Sequence, residues 1–222
     1  MTRVARTAAL CLTTALVVAS CAGSTVKSSD KPTVTTSPSP SSTVKVPKSV
    51  KLTDMGADLS FGDTATVIYE PDQNTGTVLD LTVEKAEQGD LKDFSGFILD
   101  EQTKKSTPYY VKVKVRNVGE DTIGGQAVPL WGVDGRNTLL PPAKFTAPFK
   151  RCPSRSLPKK FEPEDDFSTC LVFLAPDRGT MKAVSFRPNQ KFDPIQWTGP
   201  IAQPTKSQSP DKGGKKANGK KG

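Results

Sequence analysis

The chain has 222 residues and no histidine. That absence removes Ser-His-Asp and Cys-His nucleophilic schemes, and histidine-ligated zinc, from the chemistry open to it. A Walker-type loop is missing, and so is a G-x-G-x-x-G opening a helix, so neither common phosphate cradle is present. Nor is there a run of the roughly 20 apolar residues needed to span a bilayer. The Ser156-Leu157-Pro158-Lys159 stretch matches a Ser-x-x-Lys pattern. It lies in a proline-flanked loop without a companion Lys-Thr-Gly, whereas a catalytic serine of that type opens a helix. Glu162, Glu164, Asp165 and Asp166 crowd one segment. They lack the ordered ligand spacing and bend glycine of a calcium loop, and read as a solvated acidic turn. No metal, cofactor or catalytic residue is expected.

The charge present is unevenly placed. The formal net charge is +8. Residues 201–222 hold six lysines against one acid, and residues 22–50 hold four lysines against one acid. Residues 51–200 carry 19 basic and 21 acidic side chains, so the basic character belongs to the ends. A folded nucleic-acid reader usually shows a basic face with aromatics or a known motif; none is expected here. The lysine-rich tail, 201–222, is read as disordered. It is either simply solvated or in weak contact with anionic lipid or wall phosphate, at about 1 kcal/mol per charge near the surface.

At the other end, Arg3 and Arg6 precede TAALCLTTALVV (residues 7–18). These twelve residues are too short to span and read as a signal-peptide core. The following Val18-Ala19-Ser20-Cys21 resembles the bacterial lipobox. That resemblance implies a signal peptide over 1–20 and lipid attachment on Cys21 as the first mature residue. Leu10 is too bulky for Cys11 to take that role. Two or more acyl chains hold a protein stably on a membrane, where one does so only marginally. The expected address is extracytoplasmic, lipid-anchored to the cell membrane. Residues 21–50 continue as a Ser/Thr/Pro-rich linker without an aromatic residue, too poor in apolar surface to offset its chain entropy.

Residues 51–200 form the candidate domain, and their pattern has period two. TATVIYE (64–70), VLDLTVEKA (78–86) and YYVKVKVRNV (109–118) read as strands. In the last, Tyr109, Val111, Val113 and Val115 face one way, and Lys112, Lys114 and Arg116 the other. QAVPLWGV (126–133), STCLVFLA (168–175) and TMKAVSFRP (180–188) are further candidates, with GFILDEQ (96–102) a short one. Turn signals separate them, among them Asn117-Val118-Gly119, Asp134-Gly135-Arg136 and Pro176-Asp177-Arg178-Gly179. One wet and one buried face, with frequent turns, predicts an all-β fold: an antiparallel β-sandwich of about seven strands.

With Cys11 and Cys21 assigned to the leader and the lipid, Cys152 and Cys170 remain. Outside the membrane disulfides persist, and the spacing lacks the Cys-x-x-Cys form of redox sites. A structural bridge is expected, worth about 3 kcal/mol for a loop of this length. Trp131 and Trp197 are read as core or edge packing rather than sugar platforms.

The run from about Leu59 to Trp197 resembles an immunoglobulin-like domain family of uncharacterised function, found on many Gram-positive lipoproteins. The marks are VKVKVRNVG (111–119) with its Asn-x-Gly turn, LWGVDGRN (130–137), FEPEDDFSTCLVFLAP (161–176) and MKAVSFRP (181–188). Relatives often carry Gly after the proline of the acidic turn, where this chain has Glu164. The resemblance brings no catalytic residues. It implies a single immunoglobulin-like module that is not an enzyme and binds an envelope protein or wall polymer. A small-ligand or solute-binding lipoprotein is the alternative, and a hydrolase using carboxylates alone the third reading.

Overall fold

Alternation is realised most fully in the longest strands, which form the middle of one sheet. A computed structural model describes residues 43–204. The leader with Cys11 and Cys21, the linker through residue 42 and the tail from 205 lie outside the described residues. Ten strands follow in chain order: β1 (Asp58–Ser60), β2 (Thr64–Tyr69), β3 (Thr77–Gln88), β4 (Thr107–Asn117), β5 (Trp131–Asp134), β6 (Leu139–Leu140), β7 (Asp166–Ala175), β8 (Met181–Phe186), β9 (Ile195–Thr198) and β10 (Ile201–Ala202). The described residues contain no α-helix, only two short 3-10 turns, Leu91–Phe94 and Thr103–Lys105.

The fold is all-β and two-sheeted. One sheet runs β1-β9-β8-β5-β6; the other runs β10-β3-β4-β7, with β2 also paired to β3. Leu81 of β3 stands between Ala65 and Val115, so β4 takes one edge of β3 while β2 and β10 share the other. Leu79, Leu81 and Val83, with Val111, Val113 and Val115, meet Val184, Phe186, Ile195 and Trp197 of the other sheet in one buried cluster. Their outward neighbours Lys112, Lys114 and Arg116 are exposed, as the alternation requires. Trp197 is fully buried, and its indole Nε1 donates to the Asp63 carbonyl at 2.9 Å.

Several expectations need correction. Among the described residues the strands number ten rather than about seven, because β1, β6, β9 and β10 are only two to four residues long and show no readable period. The sheets are not wholly antiparallel: β1 runs parallel to β9, and β10 parallel to β3. Both are short edge strands reached by sheet-crossing segments instead of hairpins. Residues 96–102 are not a strand. Asp90 and Asp93 cap the preceding 3-10 turn reciprocally, and Phe97 and Leu99 pack locally while Ile98 is fully exposed. Strand β5 starts at Trp131, not at 126, since Pro129 has no N–H to give a ladder and Leu130 N bonds locally to the Val128 carbonyl.

Residues flanking 51–200 also contact the sheets. The backbone N–H of Thr43 donates to Glu70, and Lys45 pairs with Glu120 at 2.6 Å. Ile201 and Ala202 form β10.

A second core lies on the opposite face of the β4–β7 sheet. Tyr110, Cys170 and Val172 alternate with the inward Tyr109, Leu171 and Phe173, and loops carrying Phe94, Phe149 and Cys152 cover them. Phe94 and Phe149 stack at 4.6 Å, Phe145 and Phe149 at 5.1 Å. The Tyr110 hydroxyl donates to Asp93 at 2.9 Å. Burial, reinforced by that carboxylate, pushes the phenol far above the ordinary tyrosine range. The Cys152–Cys170 disulfide is formed, with Cα atoms 5.1 Å apart, inside the normal span. It joins the covering loop to β7.

Candidate functional site

The Asn-x-Gly turn at the end of β4 has the densest polar chemistry in the fold. Asn117 is fully buried. Its Oδ1 accepts from the Thr77 hydroxyl at 2.8 Å and from Gly119 N at 3.2 Å. Its Nδ2 donates to the Asp121 carbonyl at 2.8 Å and the Phe161 carbonyl at 3.1 Å. All four side-chain valences are used. A Cβ on Gly119 would meet Val78 N at 2.6 Å, so the close approach admits only glycine. The node ties the start of β3 to the acidic turn. It is a structural clasp with no donor or acceptor left for a ligand.

The acidic turn itself is ordered by its own residues. Asp165 N donates to the Glu162 carbonyl at 3.1 Å across Pro163, and the Asp165 carboxylate accepts from Glu162 N at 2.8 Å. Glu164 pairs with Arg116, and Asp166 with Lys114. Among the described residues no group of three or more His, Cys, Asp or Glu is placed to hold a metal ion. Glu164 sits at φ +71°, the left-handed conformation that suits glycine at the third position of a type II turn. The turn therefore keeps the glycine geometry without the glycine. Left-handed backbone costs about 1–2 kcal/mol for an L-residue, while an exposed ion pair is worth about 0–1 kcal/mol. Glu164→Gly should thus raise stability by about 0.5 kcal/mol after its unfolded-state entropy is counted. Glu164→Val should lower it by about 1 kcal/mol. Urea titration reads both; a glycine variant less stable than the parent contradicts the strain.

The Asp134-Gly135 turn between β5 and β6 behaves similarly. Asp134 accepts from Thr138 N at 2.7 Å and Arg136 N at 2.8 Å. These backbone donors, Thr138 foremost, hold its carboxyl below the usual carboxylate range. Ser156 and Lys159 stand in irregular backbone, where Leu157 N bonds to the Gln126 carbonyl and Gly125 N to the Pro158 carbonyl. Neither opens a helix.

Among the described residues a cleft of about 770 Å³ opens at one end of the sheets. The end of β2 brings Tyr69, Glu70 and Pro71; the irregular approach to β5 brings Val128, Pro129 and Trp131. Pro141, Pro142, Lys144 and Phe145 follow β6, Ser154 to Ser156 come from the stapled loop, and Arg187 and Pro188 leave β8. Five prolines line it, and a proline cannot continue a ladder, so the chain leaves the sheets here without closing over the opening. Tyr69 donates its hydroxyl to the Ala127 carbonyl at 3.2 Å, and Ser154 donates to the Ala143 carbonyl at 3.2 Å. The volume lies in the range of small-molecule sites.

Of the tryptophans, only Trp131 lines this cleft; Trp197 is core. Cys152 and Cys170 are covalently joined beneath the second core, and Cys21 lies outside the described residues. Alternation could not have found the cleft, because most of its lining comes from loops. The clustered Pro129, Pro141, Pro142 and Pro188 beside Trp131 were the available signal. No protein-family model matches the chain, and neither a curated protein nor a solved structure does.

Proposed function

We propose that the chain is a membrane-anchored extracytoplasmic lipoprotein whose immunoglobulin-like β-sandwich is a non-enzymatic binding module of the cell envelope. The binding surface in this reading is the cleft between Tyr69, Trp131, Phe145 and Arg187. One observation carries it: a concavity of about 770 Å³ with an aromatic and proline lining and a few polar side chains, the mixture ligand sites use. The most polar clusters elsewhere, around Asn117 and Asp134, are satisfied by their own backbone. The anchoring is supported by the short apolar leader, Val18-Ala19-Ser20-Cys21 and the linker after it. The immunoglobulin-like assignment is supported by two sheets over one core and by the Asn117-Val118-Gly119 turn. A small-solute-binding lipoprotein is the second reading, favoured by the cleft's volume; an envelope protein or wall polymer would use the same surface.

Two measurements test this. Cys21→Ala should abolish membrane retention or leave the leader uncleaved, read by fractionation and intact mass; normal retention and processing of that variant sinks the anchor. A photo-cross-linking residue at Lys144, beside the cleft, should capture envelope material from intact cells in a discrete species. The same group at Lys182, on the exposed side of β8, should not. Equal capture at both positions removes the cleft from the proposal.

A further inference from the structure

The lining of the cleft is uneven in charge. Lys144, Arg155 and Arg187 all line it, and among the described residues none of the three is in an ion pair. Its one carboxylate, Glu70, is already engaged by the Thr43 backbone N–H at 3.1 Å and hydroxyl at 3.2 Å. Arg187 is half-buried. Its Nη2 donates to the Gln190 carbonyl at 3.1 Å, while its Nε is buried with no partner. Arg155 lies over the Phe167 ring at 5.7 Å, a contact that orients a guanidinium without neutralising it.

Such a lining is rich in unpaired cations, and its one carboxylate is engaged. The Tyr69 and Ser154 hydroxyls spend their protons on backbone carbonyls. A neutral polyhydroxyl ligand can use the lone pairs these hydroxyls keep, but it leaves the three cations uncompensated. A carboxylate or phosphate brings only acceptors, and arginine's fork matches it. The remaining surface, Tyr69, Val128, Leu130, Trp131 and Phe145, accommodates an apolar or aromatic body.

We propose that the cleft binds a small amphiphilic organic anion: a carboxylate or phosphate head on an aromatic or apolar body. The proposal rests on the reading of the cleft as the binding surface, and names what it takes. Arg187, Lys144 and Arg155 together hold the charge of the head.

The test is calorimetric titration of the full chain with naphthoate, naphthyl phosphate and the uncharged naphthamide, with Trp131 fluorescence as a second readout. Hydrogen bonds to charged groups predict that an anion binds about tenfold or more tighter than the amide at low salt. Arg187→Gln should remove most of the anion's advantage over the amide and leave the amide unchanged. Lys144→Gln, at an exposed loop position, should weaken the anion by about threefold and flatten its salt dependence; it keeps the test valid if the Arg187 variant misfolds. Tighter binding of either anion supports the proposal, and the order of the two identifies the head group. Equal binding of anion and amide, indifferent to both variants, overturns the anion while leaving the cleft as a binding surface. No binding of any probe, with Trp131 emission unmoved, overturns the small anion, and the cross-link at Lys144 then decides the cleft separately.

Discussion

Asn117→Ala should destabilise the domain by about 3 kcal/mol, a loss that lowers the melting temperature by roughly 6–12 °C. The estimate comes from what the alanine leaves behind. The Thr77 hydroxyl is fully buried and donates to Asn117 Oδ1, so it is stranded. The Phe161 carbonyl keeps its bond from Ile123 N, and Gly119 N keeps its bond to the Val78 carbonyl, which limits the damage. Two companion substitutions separate the clasp from simple loss of volume. Asn117→Asp preserves shape but sets a second oxygen against the Asp121 and Phe161 carbonyls. It should therefore be no better than alanine, despite filling the space. Thr77→Val removes the hydroxyl that the alanine variant strands, so the pair Asn117→Ala and Thr77→Val should lose at least about 0.5 kcal/mol less than the two singles together. Strict additivity in urea titrations sinks the account of Asn117 as a clasp.

This residue also shows how far the sequence could be read. Asn117-Val118-Gly119 is recognisable as a turn after an alternating strand, and β4, β7 and β8 follow from period two because each buries one face. The function of Asn117 is not recognisable, since its partners Thr77, Asp121 and Phe161 come from three other segments. The misread stretches have a common cause. GFILDEQ is apolar enough for a strand, but Phe97 and Leu99 pack into a local aromatic cluster with Phe94, Phe145 and Phe149. Those phenylalanines lie on two loops about fifty residues apart in sequence, and no periodicity links them. The short β1, β6, β9 and β10 exist because neighbouring strands supply their partners. The cleft is the extreme case. It is a place where five separated segments stop pairing, and that is a property of the assembly. The pairing of Cys152 with Cys170 was legible for the opposite reason, being a count of what remained once Cys11 and Cys21 had been assigned.

That disulfide carries the second large effect. Replacing the pair by Cys152→Ala and Cys170→Val should lower stability by about 3 kcal/mol, from the restored entropy of a loop with a sequence separation of 18. The Cys152→Ser, Cys170→Ser pair should lose more, because both positions are buried and each hydroxyl enters an apolar cluster of Phe94, Tyr110, Phe149 and Val172 without a built partner. The loss should also be local before it is global. The bridge pins the segment whose neighbours include Phe145, Phe149 and Arg151. That segment is otherwise held by Ala143 N to the Val172 carbonyl at 2.7 Å, Arg155 N to the Thr169 hydroxyl at 3.1 Å and the Arg151–Glu87 pair at 3.1 Å. Hydrogen exchange on the reduced protein should therefore accelerate first at residues 143–155, while the β3–β4 ladder stays protected. Lys144, Phe145, Ser154, Arg155 and Ser156 of that segment all line the cleft. Reduction should consequently weaken any ligand held there at a temperature where Trp197 is still buried and near-ultraviolet ellipticity of the main core is unchanged. Exchange that accelerates everywhere at once, or binding that survives reduction intact, would separate the staple from the cleft wall and leave it a purely global restraint.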